Sequence, residues 1–272
     1  MKISVIVSTY NSEAWLEKVL LGYAAQTWRE FEVIVADDGS RDETRTRIES
    51  LRGRLPMPVR HLWQADQGFR KCEAMNMALQ AAGSEYLIFT DGDCIPRRDF
   101  VDAHLRLREP GRFLSGGYHK LPMETSLAIA TDDIRTGRCF DTNWLREHGM
   151  PPSYRDIKLS APASLRQLFD ALSPTRPSWN GHNASGWKRD MLAINGFDER
   201  MRYGGEDREF GERLENAGIR GRQIRYRAVC VHLDHSRGYK TPESLQANLA
   251  IRAQTRANRA TWTPYGIDKT PC

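Results

Sequence analysis

Residues 4–15 read SVIVSTYNSEAW, and their pattern indicates the fold class of the chain. This stretch continues a β-branched run from Ile3 to Ser8, which is typical of a strand buried in a parallel sheet. Asn11 or Ser12 can cap a helix after that strand. The apolar residues that follow recur at helical spacing: Trp15, Leu16, Val19, Leu20 and Tyr23. The stretch therefore predicts a β-strand followed directly by an amphipathic α-helix.

The first hundred residues repeat this alternation. Further strands are predicted at Phe31–Ala36, Val59–Trp63 and Tyr86–Thr90, and further helices at Arg41–Leu51 and Gly68–Ala82. Repeated βα units imply right-handed crossovers and a parallel sheet that binds ligands at the carboxyl ends of its strands. We therefore expect a single α/β domain with a Rossmann-like, mostly parallel sheet flanked by helices.

Beyond Arg98 the pattern is less regular. The interval Pro151–Pro177 is rich in proline and serine, which predicts a loop or lid over a site. Elsewhere in this half, strands are predicted at Phe113–Tyr118 and Arg222–His232, and helices at Leu127–Leu145, Leu165–Leu172, Trp187–Ile194, Glu206–Ala217 and Pro242–Arg259.

The composition is that of a soluble globular protein, with 40% hydrophobic and 28% charged residues among 272. No apolar run approaches the ~20 residues that cross a bilayer. Met1–Thr9 lacks the basic head and cleavage site of a signal peptide, so we expect a cytoplasmic protein. The 5 cysteines are widely spaced without a CxxC pair, which favours reduced thiols. The net charge of +5 comes from basic residues dispersed along the chain, and no basic run is interleaved with aromatic residues. This distribution argues against a nucleic-acid partner.

Several enzyme classes lack their motifs here. No GxGxxG follows the first strand, and no GxxxxGK[ST] occurs, which disfavours dinucleotide dehydrogenases and P-loop phosphotransferases. HExxH and GxSxG are also absent, so neither a zincin nor a serine hydrolase is indicated.

Carboxylates follow two of the predicted strands. Asp37 and Asp38 end the second strand, and Asp91-Gly-Asp93 ends the fourth. Because carboxyl ends of parallel strands share one edge of a sheet, both clusters can face the same crevice. Paired carboxylates suit a hard divalent cation that neutralises a diphosphate. The alternative is that these Asp-Gly pairs only form turns.

Three stretches then resemble glycosyltransferase family 2, in the order typical of that family: SVIVSTYNSEAWLEKVLLGYAAQ (4–26), VIVADDGSRDET (33–44) and FTDGD (89–93). The resemblance implies a GT-A fold and an inverting enzyme, with a nucleotide-sugar half at residues 1–110 and an acceptor half at 111–272. It implies that Thr9, Tyr10 and Asn11 border the nucleotide. It also implies that Asp38, or its neighbour Asp37, binds the uracil edge.

The same resemblance makes Asp91 and Asp93, with Gly92 between them, the DxD pair, in which Asp93 directly binds Mn²⁺ or Mg²⁺. DQGFRKCEAMN, residues 66–76, resembles a subgroup with a GFR-type signature. There Arg70 would contact phosphate or ribose, with Asn76 also at the nucleotide sugar. The alternative for Arg70 is a solvated arginine at a helix start.

NASGWKRDMLAINGFDERMRYGGEDREFGERL, residues 183–214, resembles β-1,4-galactosyltransferases and chondroitin-synthesising enzymes. By similarity Asp207 is the catalytic base and Glu206 helps to hold the acceptor, although carboxylates also favour a helix start for its dipole alone. Tyr203 replaces the tryptophan of the animal galactosyltransferases, which leaves the donor sugar undefined. In VHLDH, we favour His232 over His235 as the third metal ligand.

These observations predict a metal-dependent transfer of a hexose or N-acetylhexosamine from a UDP-sugar to a saccharide or lipid-linked saccharide, in bacterial surface polysaccharide or lipopolysaccharide synthesis. A non-catalytic nucleotide-sugar-binding or scaffold protein is the alternative, and a nucleotidyltransferase would need a basic glycine-rich loop that STYNSEAW does not provide. The basic terminal helix, with Arg252, Arg256 and Arg259, suits either a solvated face or peripheral contact with the inner face of the membrane.

Overall fold

The computed structural model describes residues 3–236 and 241–269. The strands are β1 Ile3–Thr9, β2 Phe31–Asp37, β3 Val59–Trp63, β4 Tyr86–Asp91, β5 Cys94–Pro96, β6 Arg112–Ser115, β7 Gly117–Lys120, β8 Ala184–Trp187, β9 Arg220–Gln223 and β10 Val229–His232. The helices are α1 Glu13–Ala24, α2 Asp42–Arg52, α3 Lys71–Ala81, α4 Phe100–Leu107, α5 Met123–Ala128, α6 Thr131–Thr136, α7 Thr142–Glu147, α8 Ile157–Ser160, α9 Arg166–Ala171, α10 Lys188–Ala193, α11 Glu206–Asn216 and α12 Pro242–Ala257.

A seven-stranded sheet in the order β3-β2-β1-β4-β8-β6-β9 forms the centre of the molecule. The first four strands are parallel to one another, whereas β8 runs antiparallel to both β4 and β6. Strands from both halves of the chain thus share one sheet. The predicted α/β class with a mostly parallel, helix-flanked sheet is confirmed.

Apolar residues of β1 fill both faces of this sheet, because successive side chains of a strand point to opposite sides. Val5 and Val7 join one core, with α1 and α2, while Ile6 joins the other, with α3 and α11. A second sheet of three strands, in the order β5-β10-β7, extends the first core. The carboxyl ends of β1, β2 and β4 are thereby fixed from both sides.

Two helix starts differ from the prediction. The third helix begins at Lys71 rather than Gly68, because Gly68 has a φ of 80° and the backbone N–H of Arg70 bonds Asp38 instead. Neither predicted residue caps α1 through its side chain. Asn11 has a φ of 45°, and its amide oxygen accepts from the N–H of Arg41 before α2.

The later elements are shorter than predicted. The strand expected at Phe113–Tyr118 is divided at Gly116 into β6 and β7, which belong to different sheets. The strand expected at Arg222–His232 is divided into β9 and β10 by a turn. The long helix expected at Leu127–Leu145 consists of short helices, interrupted at Gly137, whose φ is 82°.

The interval Pro151–Pro177 contains α8 and α9 and is anchored by a buried carboxylate. Asp170 accepts hydrogen bonds from the backbone of Tyr226 and from Arg227 Nε, at 2.8 and 2.5 Å. In α12, Arg252 and Arg256 both pair with Glu212 of α11, which favours an intramolecular role for these two cations. Within the described ranges, no helix combines the length and apolar character needed to span a bilayer.

Candidate active site

A cleft of about 600 Å³ opens at the carboxyl ends of β1, β2 and β4. Phe69 and Tyr203 flank it as an edge-on pair whose ring centroids are 5.9 Å apart. Seven of the predicted site residues line this cleft or its floor together with Glu206 and Asp207: Thr9, Tyr10, Asn11, Asp38, Asp91, Gly92 and Asp93. The sequence halves therefore contribute to a single site.

Asp38 lies at one end of the cleft and is held from two directions. Its Oδ1 accepts from Gln64 Nε2 at 2.6 Å, and its Oδ2 accepts from the N–H of Arg70 at 2.8 Å. Burial raises the pKa of Asp38, although both hydrogen bonds oppose that rise. Because a carboxylate has about four lone-pair sites, Asp38 retains capacity to accept from a ligand.

Three residues that the family resemblance assigns to the nucleotide sugar lie elsewhere. Asp37 is fully buried, with its carboxylate bonded to the N–H of Ser40 and to His61 Nε2 at 2.7 Å. Asn76 is also buried and ties α3 to the backbone of Phe197. The guanidinium of Arg70 is paired with Glu73, so only its backbone serves Asp38. None of the three lines the cleft, so Asp38 rather than its neighbour Asp37 is placed to meet a nucleotide, while the roles of Arg70 and Asn76 at the nucleotide sugar stay predictions.

Gly92 allows β1 and β4 to converge at the floor of the cleft. Its N–H donates to the carbonyl oxygen of Ser8 at 2.7 Å. A Cβ at this position would lie 2.9 Å from that same oxygen and 3.2 Å from Thr9 Oγ1. Any larger residue would push the two strand ends apart. Thr9 Oγ1 is buried there without a hydrogen-bond partner in the described residues.

Lys71, the first residue of α3, reaches the first carboxylate of the DxD pair. Its Nζ donates to Asp91 Oδ1 at 2.7 Å, and Ser8 Oγ donates to the same oxygen. Burial would raise the pKa of Asp91, but the neighbouring ammonium and hydroxyl hold it well below its ordinary value. Burial likewise disfavours charged Lys71, yet Asp91, Asp207 and Glu206 raise its pKa well above the ordinary value.

Asp93 faces two histidines at the end of β10. His235 Nε2 lies 2.9 Å from Asp93 Oδ2, and His232 Nε2 lies 3.7 Å from the same oxygen. The imidazole rings stack with centroids 5.6 Å apart, and His235 lines the cleft. Cys94 Sγ donates to the other oxygen of Asp93 at 3.3 Å. A carboxylate with two imidazoles is a suitable donor set for manganese, so these residues fit a divalent cation.

Asp207 enters the cleft from the second residue of α11. It accepts a hydrogen bond from the N–H of Gly181, and its Oδ1 is buried without a partner in the described residues. Burial is the main cause that raises the pKa of Asp207 to about 7, reinforced by Glu206 and Asp91 and opposed by Lys71. Glu206 is engaged differently, because its Oε2 accepts from the N–H of Gly204 at 2.9 Å.

Lys71 and His182 are site residues that the sequence reasoning missed. A lysine at the first position of a helix interacts unfavourably with the helix dipole. That unfavourable placement is the feature of the sequence that indicates a role for Lys71 other than stabilising the helix. His182 lies beside Tyr118, with ring centroids 4.4 Å apart, and burial is the main cause that lowers its pKa to about 4. No periodicity or motif marks His182, since it follows the irregular interval and precedes a short strand.

Two sequence families match the chain. Residues 4–115 match the family described as glycosyl transferase family 2, and residues 175–236 match the family described as the N-terminal domain of galactosyltransferase. Glycosyltransferase YfnE of Bacillus subtilis is 28% identical over 92% of this chain and 69% of its own length. Validoxylamine A glucosyltransferase of Streptomyces hygroscopicus subsp. limoneus is 31% identical over 80% of this chain, which spans 48% of that enzyme.

Two solved structures share the fold. The mannosyltransferase PcManGT of Pyrobaculum calidifontis, in complex with GDP-Man and Mn²⁺, has a TM-score of 0.60 and 19% identity, covering 93% of this chain and 69% of its own. TarS 1-349 of S. aureus, in complex with UDP-GlcNAc, has a TM-score of 0.58 and 21% identity, covering 95% and 69%.

The fold and the matched families define a glycosyltransferase with the GT-A fold. Residues 4–115 are of the glycosyltransferase family 2 type, and residues 175–236 form a galactosyltransferase-type segment in the second half of the chain. Both resemblances indicated by the sequence motifs are thereby confirmed.

Proposed function

We propose that this glycosyltransferase moves a hexose or N-acetylhexosamine from a UDP-sugar to a saccharide hydroxyl, free or lipid-linked, with inversion at the anomeric carbon and in polysaccharide synthesis. The observation that carries the proposal is that Asp38, Asp93 and Asp207 line one cleft. Asp38 recognises the nucleobase, Asp93 binds the cation, and Asp207 acts as the general base. Residues 1–110 hold the donor and residues 111–272 hold the acceptor.

For the metal, we assign Asp93, His232 and His235 as the residues that would hold Mn²⁺ or Mg²⁺. Asp93, Cys94 and His232 each place one potential ligand atom within 4.8 Å of the others, and His235 Nε2 lies 2.9 Å from Asp93 Oδ2. When bound, a divalent cation there neutralises the charge that develops on a leaving diphosphate. The relative bound to GDP-Man and Mn²⁺ supports metal use in this fold.

For the chemistry, Asp207 removes the proton of the acceptor hydroxyl as that oxygen attacks the anomeric carbon. A positioned base of this kind contributes about 10²–10⁴-fold to a rate. The carboxylate of Asp207 takes up that proton, and the close approach of Gly181 to both of its oxygens holds it in place. Lys71 keeps Asp91 ionised and limits repulsion among the carboxylates around it.

The experiment compares UDP, GDP, ADP and dTDP by thermal shift, with and without Mn²⁺, and then measures hydrolysis of UDP-sugars. We expect UDP with Mn²⁺ to stabilise the protein most, since a ligand at a hundredfold excess over its Kd contributes about 2.7 kcal/mol. Asp38→Asn should reduce the preference for UDP over GDP. Equal shifts for all nucleotides would contradict the donor assignment, and UDP binding without any release of sugar would favour a non-catalytic binding protein.

A further inference from the structure

Three basic side chains outside the donor cleft gather beside Tyr118, and we name Arg155, Lys158 and Arg225 the basic cluster. Lys158 Nζ lies 5.5 Å from the centroid of the Tyr118 ring and donates to its backbone carbonyl at 2.9 Å. Arg155 and Arg225 are both close enough to Lys158 to perturb its ionisation. None of the three lines the cleft that contains Asp38 and Asp93.

The basic cluster has no counter-ion within residues 3–236 and 241–269. Arg155 bonds the hydroxyl of Tyr154, and Arg225 bonds Ser173 and Thr175, all of which are neutral. The nearby carboxylate of Asp156 is buried; its Oδ2 pairs with Arg146 at 2.9 Å, and its Oδ1 lies 3.6 Å from His119 Nε2 rather than against the basic cluster. Three cations therefore lie together without a carboxylate to balance them.

Such an arrangement is unfavourable in the absence of a ligand. Burial, followed by the charges of Arg225 and Arg155, lowers the pKa of Lys158 to about 8. Arg225 Nε is buried without a hydrogen-bond partner in the described part of the chain. Since buried donors are nearly always bonded, this unpartnered Nε adds to the cost of holding Arg225 beside the other two cations.

Tyr118 connects the basic cluster to the reaction centre. Its ring centroid lies 4.4 Å from that of His182 and 5.9 Å from that of His232. His232 in turn faces Asp93, with Nε2 3.7 Å from the carboxylate. The cluster is thus separated from the cation site by one layer of aromatic side chains, and Tyr118 itself is 37% exposed.

We propose that the basic cluster binds an anionic group, a phosphate or a carboxylate, on the acceptor saccharide. This inference rests on the proposed function, because it defines the chemical class of the acceptor. Guanidinium groups bind phosphate and carboxylate through paired hydrogen bonds, and lysine adds a compact charge. An acidic substituent held here would orient the neighbouring sugar across Tyr118 toward the reaction centre.

The test measures binding of glucose, glucose 6-phosphate and glucuronate by calorimetry, with and without UDP and Mn²⁺. We expect the wild-type protein to bind at least one charged sugar about tenfold more tightly than glucose, and which one does so separates phosphate from carboxylate. Lys158→Gln with Arg225→Gln should remove that preference, whereas Lys158→Arg should keep it. The exposed pair Arg45→Gln with Arg106→Gln changes the net charge equally and should keep the preference.

Affinity for UDP, measured on the same preparations, should be unchanged in every variant and reports that each is folded. Equal affinity for all three sugars in the wild-type protein would overturn the inference. So would a preference that persists in the double variant of the basic cluster. Failure of the wild-type protein to bind UDP would instead contradict the proposed function. Because sugar binding is also measured without nucleotide, that outcome is distinguished from failure of the inference about the basic cluster.

Discussion

The ammonium of Lys71 lies 2.7 Å from Oδ1 of Asp91, so the first residue of α3 neutralises the first carboxylate of the DxD pair. Asp91 and Lys71 are both largely shielded from solvent, with side chains 25% and 17% exposed. Lys71 also raises the ionised fraction of Asp207, across the cleft, by lowering its pKa. One cation therefore links the carboxylate at the end of β4 with the carboxylate at the start of α11.

Lys71→Gln should lower the melting temperature and the rate of transfer, because it leaves Asp91 without its partner. Breaking one side of a buried ion pair costs about 3–5 kcal/mol. Asp91→Asn in the Lys71→Gln background should recover part of the lost stability, with a coupling energy of about 1–3 kcal/mol measured by denaturation of the four proteins. Strictly additive effects would show that the two groups do not interact in solution.

Asp207→Asn should reduce turnover by about 10²-fold or more, because asparagine cannot accept the acceptor proton. In the wild-type protein, the pH profile of kcat/KM at saturating Mn²⁺ should rise through about pH 7, the raised pKa of Asp207. A rate independent of pH from about 5.5 to about 8.5, roughly 1.5 decades of proton concentration on either side of that pKa, would exclude Asp207 as the base.

Asp207→Asn should increase the stability of the folded protein although it lowers turnover. A carboxyl whose pKa is raised in the folded state stabilises the fold below its unfolded pKa, and that contribution is lost as pH rises through the folded value. Asp207→Asn should therefore raise the melting temperature at pH 8 relative to the wild-type protein, and this gain should shrink toward pH 4. A capping role alone predicts a loss of about 1 kcal/mol at either pH.

Substitution of the two histidines should distinguish their roles at the metal. Because His235 lies closer to Asp93 and lines the cleft, His235→Ala should raise the Mn²⁺ concentration for half-maximal rate about tenfold or more, and His232→Ala should do so less. Titration of each variant with Mn²⁺ measures both values. The reverse order would restore His232, the residue favoured by the sequence, as the principal ligand.

Gly181→Ala should slow transfer without weakening UDP binding. A Cβ at Gly181 would lie 2.6 and 2.7 Å from the two carboxylate oxygens of Asp207, which would have to move. A displacement near 1 Å at a reacting group costs about 10²-fold in rate. Gly53→Ala is the matched control, since nothing lies within 4 Å of its added Cβ. Equal rates for both variants would show that Asp207 does not depend on this contact.

The sequence predicts the fold of the first hundred residues well, because regular βα units place carboxylates at strand ends by a general rule. It predicts less well which neighbour at a strand end faces the ligand. Asp37 and Asp38 are adjacent, yet only the partners His61 and Gln64, which are distant in sequence, determine that Asp38 lines the cleft. Asn76 lies in the stretch DQGFRKCEAMN but bonds Phe197, a contact that no local pattern indicates.

The second half was harder to predict because its elements are short and depend on long-range contacts. Gly116 separates two strands since a Cβ there would collide with Asn183, more than sixty residues away. Arg155, Lys158 and Arg225 converge from separate segments, so no run of basic residues announces the cluster. By contrast, the Gly-Gly-Glu-Asp segment was recognisable because its chemistry is local to the start of α11.

The antiparallel pairing of β4 with β8 fixes the spacing between Asp91 and Gly181. Phe89 pairs with Ala184, so Asp91 and Gly181 leave the sheet from neighbouring strand ends. A slip of two residues, which keeps the same faces inward, would shift them by about 7 Å and separate donor from base. Segments inserted between β5 and β8 leave this spacing untouched. We expect that exchanging, between relatives, only the part of this stretch that precedes Gly181 changes which molecule receives the sugar and preserves the geometry of transfer.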